Sequence, residues 1–156
     1  MTPMKETILL DAGRRSDGSM VQEEVHVEPL RPKRYRLLQS PGLVPGLAAG
    51  DVFDVIDDGK YEIVSRGNNL CIQIFFSEES LRSKLESETT SRLKIVGGRL
   101  DGKSARELVY TVPMSTGFAA VESVLRTVTS TFPGVEWYYG NVYDPKDGIT
   151  PLNWWR

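Results

Sequence analysis

The sequence contains few of the side chains that most enzymes use for catalysis. Of its 156 residues, one is a histidine, His26, and one is a cysteine, Cys71. Imidazole and thiolate are the usual acid-base, nucleophilic and transition-metal groups, so most familiar catalytic constellations cannot be assembled here. A lone cysteine cannot form an internal disulfide, and with one histidine it cannot supply four zinc ligands. We assign no catalytic residue, metal or cofactor, and favour a function other than catalysis.

Long apolar runs and an excess of positive charge are also missing. The stretch Thr7-Ile8-Leu9-Leu10 is too short for a signal peptide or a membrane span, so no membrane location is predicted. Together with the lone cysteine, this favours a reducing cytoplasm. The 19 basic and 21 acidic side chains give a net charge of -2, so no overall positive field attracts phosphate backbones. The charge argues against nucleic acid as a partner.

The first third of the chain has the patterns of a small antiparallel β unit. Residues 1–19 are predicted as a flexible segment, because glycine, serine, aspartate and paired arginines collect between Asp11 and Ser19. Alternating apolar residues then indicate strands near residues 21–28 and 35–38. Two prolines and three glycines make residues 40–50 an irregular apolar crossing, expected under a small sheet. Strands on either side of Asp57-Asp58-Gly59 complete the unit, predicted over residues 20–67, because Asp-Gly is a strong hairpin signal.

A mixed unit is predicted over residues 68–142. Its expected elements are, in order, strand 70–76, helix 78–88, strand 92–96, strand 107–112, helix 116–131 and strand 135–139. The order β-α-β-β-α-β is that of the split βαβ, or ferredoxin-like, arrangement, and the fold class is therefore α+β. The second helix has the clearest pattern, since apolar residues recur at steps of three and four from Phe118 to Phe132, and Ser115 can cap its start. Residues 143–156 form a tail, and Trp154 and Trp155 are expected to dock on the body or on a partner subunit.

Other groups that could carry chemistry have simpler explanations. The four aspartates between Asp51 and Asp58 are interpreted as turn and strand residues, and no Ca²⁺ loop follows them. His26, with Glu24 and Glu28 on the same strand face, is interpreted as exposed, and Cys71 as an inert buried thiol. Residues 97–104 are interpreted as a flexible hairpin loop, because no helix N-terminus follows them to bind a phosphate.

The sheet of the second unit needs a cover on the face away from its helices. We expect that face to draw on a mainly aromatic set of residues, namely Gln73, Phe75, Tyr110, Trp137, Tyr138 and Tyr139. RNA-recognition sheets stack bases on such aromatics, but their signature is missing from residues 107–112. The β unit, the tryptophan tail or a second subunit is the favoured cover, because apolar faces must be buried against something.

Four segments of the chain resemble bacterial domain-of-unknown-function family 4265. They are residues 24–30, 35–41, 46–52 and 65–68, and the resemblance extends over roughly residues 20–110. Members are similar in a strand bounded by glutamates, in an apolar segment ending Gly-Leu-Ala-x-Gly-Asp-Val, and in a Ser-x-Gly turn. This chain departs from them at His26, where such sequences often carry tryptophan. The resemblance implies a small bacterial soluble protein and provides no catalytic residues.

Two hypotheses about function remain open. The favoured one is a non-enzymatic binding or protein-interaction module, or a homodimer, whose partner surface includes Tyr110, Trp137, Tyr139, Trp154 and Trp155. The alternative is a small-ligand binder or hydrolase-like enzyme. It would use the cleft between the two units, because clefts between domains are common ligand sites. The residues proposed for that cleft are Arg66, Asn68, Asn69 and Tyr61.

Overall fold

A computed structural model describes residues 4–156, and within them the chain forms nine strands and two α-helices. The strands make two antiparallel sheets, one with five strands and one with four, and both helices belong to the second half of the chain. The α+β fold class is therefore confirmed. No helix in this part of the chain is both long and apolar enough to cross a membrane.

The first sheet is a meander in which each strand pairs with the next along the chain. At its hairpin between β4 and β5, Asp57 pairs with Lys60 and Gly59 has a φ of +78°, a conformation that favours glycine, so the predicted Asp-Gly turn is confirmed. The strands are β1 (Glu6–Arg14), β2 (Met20–Arg31), β3 (Arg34–Leu37), β4 (Val52–Asp57) and β5 (Lys60–Ser65).

The strand β1 corrects the prediction of a flexible segment over residues 1–19, of which residues 1–3 lie outside the described chain. Glu6–Arg14 pairs with β2, and Leu10 is wholly buried. A register shift between Asp11 and Gly13 lets the strand continue through the glycine-containing stretch. Pairing with a long partner strand therefore outweighs the local turn composition, and the loop is confined to residues 15–19.

The second sheet has the predicted element order β-α-β-β-α-β. Its strands lie in the order β7-β8-β6-β9, with the first strand of the unit between the third and the fourth. The ferredoxin-like assignment of this unit stays a prediction. The elements are β6 (Asn69–Phe75), α1 (Arg82–Ile95), β7 (Arg99–Lys103), β8 (Glu107–Pro113), α2 (Phe118–Thr131) and β9 (Glu136–Tyr139).

The boundary between α1 and β7 was predicted wrongly. The helix continues through residues 92–95, which were expected to form a strand, and the strand lies at Arg99–Lys103, within the expected loop. Leu85, Thr89 and Leu93 are the buried residues of α1 and follow one another at helical spacing, but a threonine in this row hides the apolar stripe. The start of α2 also differs, since Gly117 precedes the helix and no side chain caps it.

The irregular crossing, residues 40–50, lies between the two sheets. Val44 and Leu47 pack into the core of the first sheet, as predicted, while Ala48 packs against Cys71 of β6 and Val109 of β8. The helices cover the opposite face of the second sheet, where the larger core lies. The four-stranded sheet is thus covered by the helices on one face and, in part, by the crossing on the other.

The tail after β9 docks on the body. The Trp154 indole donates a 2.7 Å hydrogen bond to the carbonyl of Asn141, and Trp154 and Trp155 pack against the helix-side core. The Trp155 ring lies 5.2 Å from the Phe118 ring between centroids, nearly at right angles. Both tryptophans are half-buried, so the tail is held by apolar packing as well as by this hydrogen bond.

Candidate functional site

The residues proposed for a ligand cleft bind the protein's own backbone. The Arg66 guanidinium donates to the Gly46 carbonyl at 2.6 Å and to the Asp51 carboxylate at 3.2 Å. The Tyr61 hydroxyl donates to the Pro45 carbonyl at 2.5 Å, and the Asn69 amide donates to the Ala49 carbonyl at 2.8 Å. These contacts all fall on the crossing and its end, so the side chains hold residues 45–51 in place.

Asn68, the fourth residue proposed for the cleft, contributes to this region of the structure through its backbone. Its φ is +58°, in the left-handed region, and its carbonyl accepts a 2.8 Å hydrogen bond from the Met114 amide. It therefore forms the corner where the chain passes from the first sheet into β6, and its ligand-binding role stays a prediction.

Asp51 is the buried charge around which this corner is built. Its side chain is 1% exposed and accepts hydrogen bonds from the amides of Gly67, at 2.8 Å, and Ala48, at 3.0 Å. Burial raises the pKa of Asp51, while these amides and Arg66 favour its ionised form. Arg66 in turn lies 5.5 Å from the Trp154 ring centre. The end of the crossing, the end of the first sheet and the tail therefore meet at one structural ion pair.

The proposed partner residues lie on a different face from the one expected. Tyr110 and Tyr139 both pair with Ile72, so they share its helix-covered face, and Trp137 lies two residues from Tyr139 on the same face. Tyr110 is wholly buried and shares a 2.7 Å hydrogen bond with Thr90, so a partner cannot touch it. The sheet-face prediction is wrong for these three residues because sequence patterns did not determine the register.

The other residues of that prediction are placed as expected. Gln73 pairs with Tyr138, and both lie with Phe75 on the face away from the helices. The Tyr138 ring is 5.9 Å from the Phe75 ring between centroids, and 53% of Tyr138 is exposed. An aromatic surface therefore does reach solvent, at the outer edge of the sheet.

A groove of about 480 Å³ runs along that edge. Its walls include three consecutive residues of β9: Trp137, Tyr138 and Tyr139. Neighbouring residues of a strand point to opposite faces, so a cavity lined by all three must follow the strand's edge. The remaining lining residues come from the crossing, β6, α2 and the tail, and are Leu43, Pro45, Gln73, Glu122, Gly140, Tyr143, Asp144, Pro145 and Gly148.

The backbone of β9 is open toward the groove. The strand lies at the end of its sheet and pairs only with β6 among the described strands. The Gly140 amide donates to the Cys71 carbonyl at 2.8 Å, so these two residues form a hydrogen-bonded pair. Hydrogen-bonded and non-hydrogen-bonded pairs alternate along an antiparallel ladder. Trp137 and Tyr139 therefore occupy non-hydrogen-bonded positions and direct their N–H and C=O groups away from β6. Four backbone groups of β9 thus point away from β6, and none of them has a hydrogen-bond partner among residues 4–156.

The groove is acidic as well as aromatic. The Tyr139 hydroxyl donates to the Glu122 carboxylate at 2.9 Å, and burial together with this contact raises the pKa of Tyr139. One Asp144 oxygen accepts the Lys146 amide at 2.9 Å. Among residues 4–156, no lysine, arginine or histidine lines the groove. The Trp-Tyr-Tyr run at residues 137–139 was the sequence feature that indicated this site. Nothing in the sequence indicated that Glu122 or the turn at residues 143–148 would take part in it.

A second cavity, of about 250 Å³, lies where β2 and the crossing face β7 and β8. Glu23 accepts the amides of Gly42, Leu43 and Val44 at 2.8–2.9 Å. Burial, and then the Glu23 charge, raise the pKa of Glu107 to about 7. His26 lines the same cavity and is exposed, as predicted. Glu23 therefore joins β2 to the crossing.

Comparison with known proteins gives a family and a fold. The family described as "Domain of unknown function (DUF4265)" matches residues 23–132. A solved structure described as "Novel crystal structure of a hypothetical protein from Neisseria gonorrhoeae" is similar with a TM-score of 0.63. The two sequences are 12% identical, and the match covers 90% of this chain and 95% of that one. No curated protein matches the sequence. At this identity the neighbour shows the fold alone.

Proposed function

We propose that this chain, which belongs to the family described as "Domain of unknown function (DUF4265)", is a non-enzymatic binding module. Its ligand is an extended segment of a protein partner, which lies in the aromatic groove along β9. The observation that carries this proposal is the lining of the groove by three consecutive residues of an edge strand. Addition of a strand to an exposed edge is a recurrent mode of peptide recognition.

The geometry supplies both affinity and selectivity. The free backbone groups of Trp137 and Tyr139 can form main-chain hydrogen bonds with any extended peptide. Selectivity would come from the exposed rings of Tyr138 and Tyr143, which are 53% and 41% exposed. Aromatic side chains are enriched where proteins bind partners, because they bury much area at little entropic cost.

The size of the groove fits this role. A cavity of about 480 Å³ can hold a few side chains of an extended segment. Of the residues predicted to bind a partner, Trp137 and Tyr139 keep that role in this proposal. Trp154 and Trp155 mainly dock the tail on the body instead. A second copy of the chain could supply the same kind of segment, and the experiment below distinguishes it.

The test is selection of peptides on the full chain. A displayed library of random dodecapeptides is panned against the protein, and enriched peptides are titrated into ¹⁵N-labelled protein. We expect chemical-shift changes at β9 and weaker binding to a Tyr138→Ala/Tyr143→Ala double variant. The matched control is Ile95→Ala, which removes an apolar side chain that is 85% exposed at the end of α1. N-methylation of alternate peptide amides should also abolish binding, because it removes the ladder donors.

Enriched peptides that bind the double variant as tightly as the wild type would overturn the proposal, as would a selection that enriches no peptide. A concentration-dependent dimer that is disrupted by the double substitution would instead identify the segment as belonging to a second copy. Sedimentation measurements on both proteins distinguish that outcome.

A small-ligand site in the second cavity is the other candidate function. The observation in its favour is Glu107, whose pKa of about 7 suits proton transfer near neutral pH. The hydrogen bonds that Glu23 already accepts from three amides weigh against it. A fragment screen by NMR that shifts Val25 and Val109, and leaves β9 unchanged, would favour this candidate over the groove.

A further inference from the structure

We infer that the segment taken by the groove carries a basic side chain, arginine or lysine, that lies between the aromatic rings and the carboxylates of Glu122 and Asp144. The inference rests on the proposed function and specifies the chemistry of the partner. Two carboxylates that share one cavity without a cation raise the local negative potential, and a basic ligand would relieve it.

The carboxylates are free for such a ligand. Neither Glu122 nor Asp144 takes part in any of the ion pairs found within residues 4–156. Each uses one oxygen in a hydrogen bond to its own chain, Glu122 from Tyr139 and Asp144 from Lys146, so the second oxygen of each remains available. A guanidinium donates in a planar fork and can reach both oxygens of a carboxylate or bridge two of them.

The rings provide the second half of the site. Trp137 and Tyr139 lie 4.9 Å apart between centroids with their planes at 87°, so they form a corner at the groove wall. Ring faces carry negative electrostatic potential and attract ammonium and guanidinium groups. Tyr138 and Tyr143 line the same groove and widen this aromatic surface.

The same combination of groups already binds an arginine elsewhere in this molecule. Arg66 lies 5.5 Å from the Trp154 ring centre and donates to the Asp51 carboxylate. There the arginine belongs to the chain itself and the site is filled. In the groove the indole, the phenols and the carboxylates are present, and no basic side chain is among the lining residues that the structure describes.

The test uses two degenerate peptide pools that differ in one group. Pool one is acetyl-Xaa-Xaa-Arg-Xaa-Xaa-amide, and pool two has citrulline, the neutral analogue of arginine of nearly the same shape, at the central position. Each pool is titrated into the ¹⁵N-labelled full chain while the β9 amides are followed. We expect the arginine pool to shift them at about five- to tenfold lower concentration, and added salt to reduce the difference.

A Glu122→Gln variant tests the origin of that preference. Glutamine keeps an oxygen for the Tyr139 hydroxyl and removes the charge, so the ratio between the pools should fall toward one. The matched control is Glu136→Gln, since Glu136 likewise accepts a 2.9 Å hydrogen bond from a tyrosine, Tyr138, but does not line the groove. The control should keep the wild-type ratio.

The outcomes separate this inference from the proposed function. Equal binding of the two pools at β9, or an arginine preference that Glu122→Gln leaves intact, would overturn the basic side chain and keep the peptide groove. If peptides from the random library bind at β9 while neither pool does, the basic side chain is likewise overturned and the peptide groove is kept. Failure of every peptide to shift β9 would overturn both.

Discussion

Tyr139 and Glu122 join the edge strand β9 to helix α2 through a 2.9 Å hydrogen bond at the wall of the groove. The phenol donates and the carboxylate accepts, so the contact fixes the ring that the proposed ligand would meet. The pair lies seventeen residues apart in sequence, and the bond links two elements whose packing shapes the site.

Tyr139→Phe should destabilise the protein by about 1 kcal/mol, because a hydrogen bond to a charged, half-buried acceptor is lost while the ring packing is kept. Urea denaturation followed by tryptophan fluorescence measures the change in the free energy of unfolding. Tyr138→Phe is the control, since its hydroxyl bonds to the exposed Glu136. Equal losses of unfolding free energy in the two variants would show that the Tyr139–Glu122 hydrogen bond stabilises the protein no more than the exposed Tyr138–Glu136 one.

Glu107 should make the protein less stable as the pH rises toward neutrality. Its pKa is raised from 4.5 to about 7 in the folded protein, so the folded state holds a proton that the unfolded chain releases. The stabilisation is complete below about pH 4.5 and is lost as the pH passes through 7. Glu107→Gln should flatten this part of the pH profile, with a gain on the order of 1 kcal/mol at pH 8. The gain is held to this size because solvent still partly screens a carboxyl that is only partly buried.

The measurement is thermal or urea unfolding at pH values between 4 and 8, on the wild type and on Glu107→Gln. Glu136→Gln serves as the exposed control and should leave the wild-type slope unchanged. A variant profile parallel to that of the wild type would contradict the assignment of the slope to Glu107.

Gly67→Ala should destabilise the protein by roughly 2 kcal/mol, the usual scale of overpacking at a rigid contact. A Cβ at position 67 would meet the backbone of Gly50, which cannot move away as a side chain could. Gly102→Ala is the matched control, because a Cβ there would approach only Val109, at 3.9 Å. Denaturant midpoints measure both, and a Gly67→Ala protein as stable as the control would show that the corner at Gly50 can relax.

Cys71 should be unreactive in the folded protein. The thiol is wholly buried beside Ala48 and Val109, and burial raises its pKa, so almost no thiolate forms at neutral pH. A thiol-specific disulfide reagent should label native protein far more slowly than protein in 6 M guanidinium chloride. Rapid labelling of native protein would indicate that the crossing opens to expose β6.

Much of the architecture could be predicted from short-range patterns. The apolar repeat of α2 and the Asp-Gly turn between β4 and β5 are properties of neighbouring residues. The turn formed where its pattern placed it, and α2 formed with its predicted end but begins two residues later than predicted. The threonine in the buried row of α1 shows the limit of this approach, since one polar residue obscured the helix and displaced the predicted strand.

The candidate site was predictable only in part. The sequence singled out Trp137 and Tyr139, but assigned them to the wrong face, because a shift of one residue in register exchanges the two faces of a strand. Glu122 and Asp144 belong to segments that gave no sign of meeting β9. Arg66, Asn69 and Tyr61 had the composition of a ligand site, and the structure shows them bound to the backbone of the crossing.

The sequence by itself determined the α+β class and the small number of catalytic side chains, and it predicted the burial of Cys71. Only the tertiary structure decided that β1 pairs with β2, that residues 40–50 fill the space between the sheets, and that β9 is an edge strand with a groove. The physical reason is the range of the interactions. Backbone conformation and side-chain periodicity depend on residues close in sequence, whereas strand register and cavities depend on contacts between segments far apart in the chain.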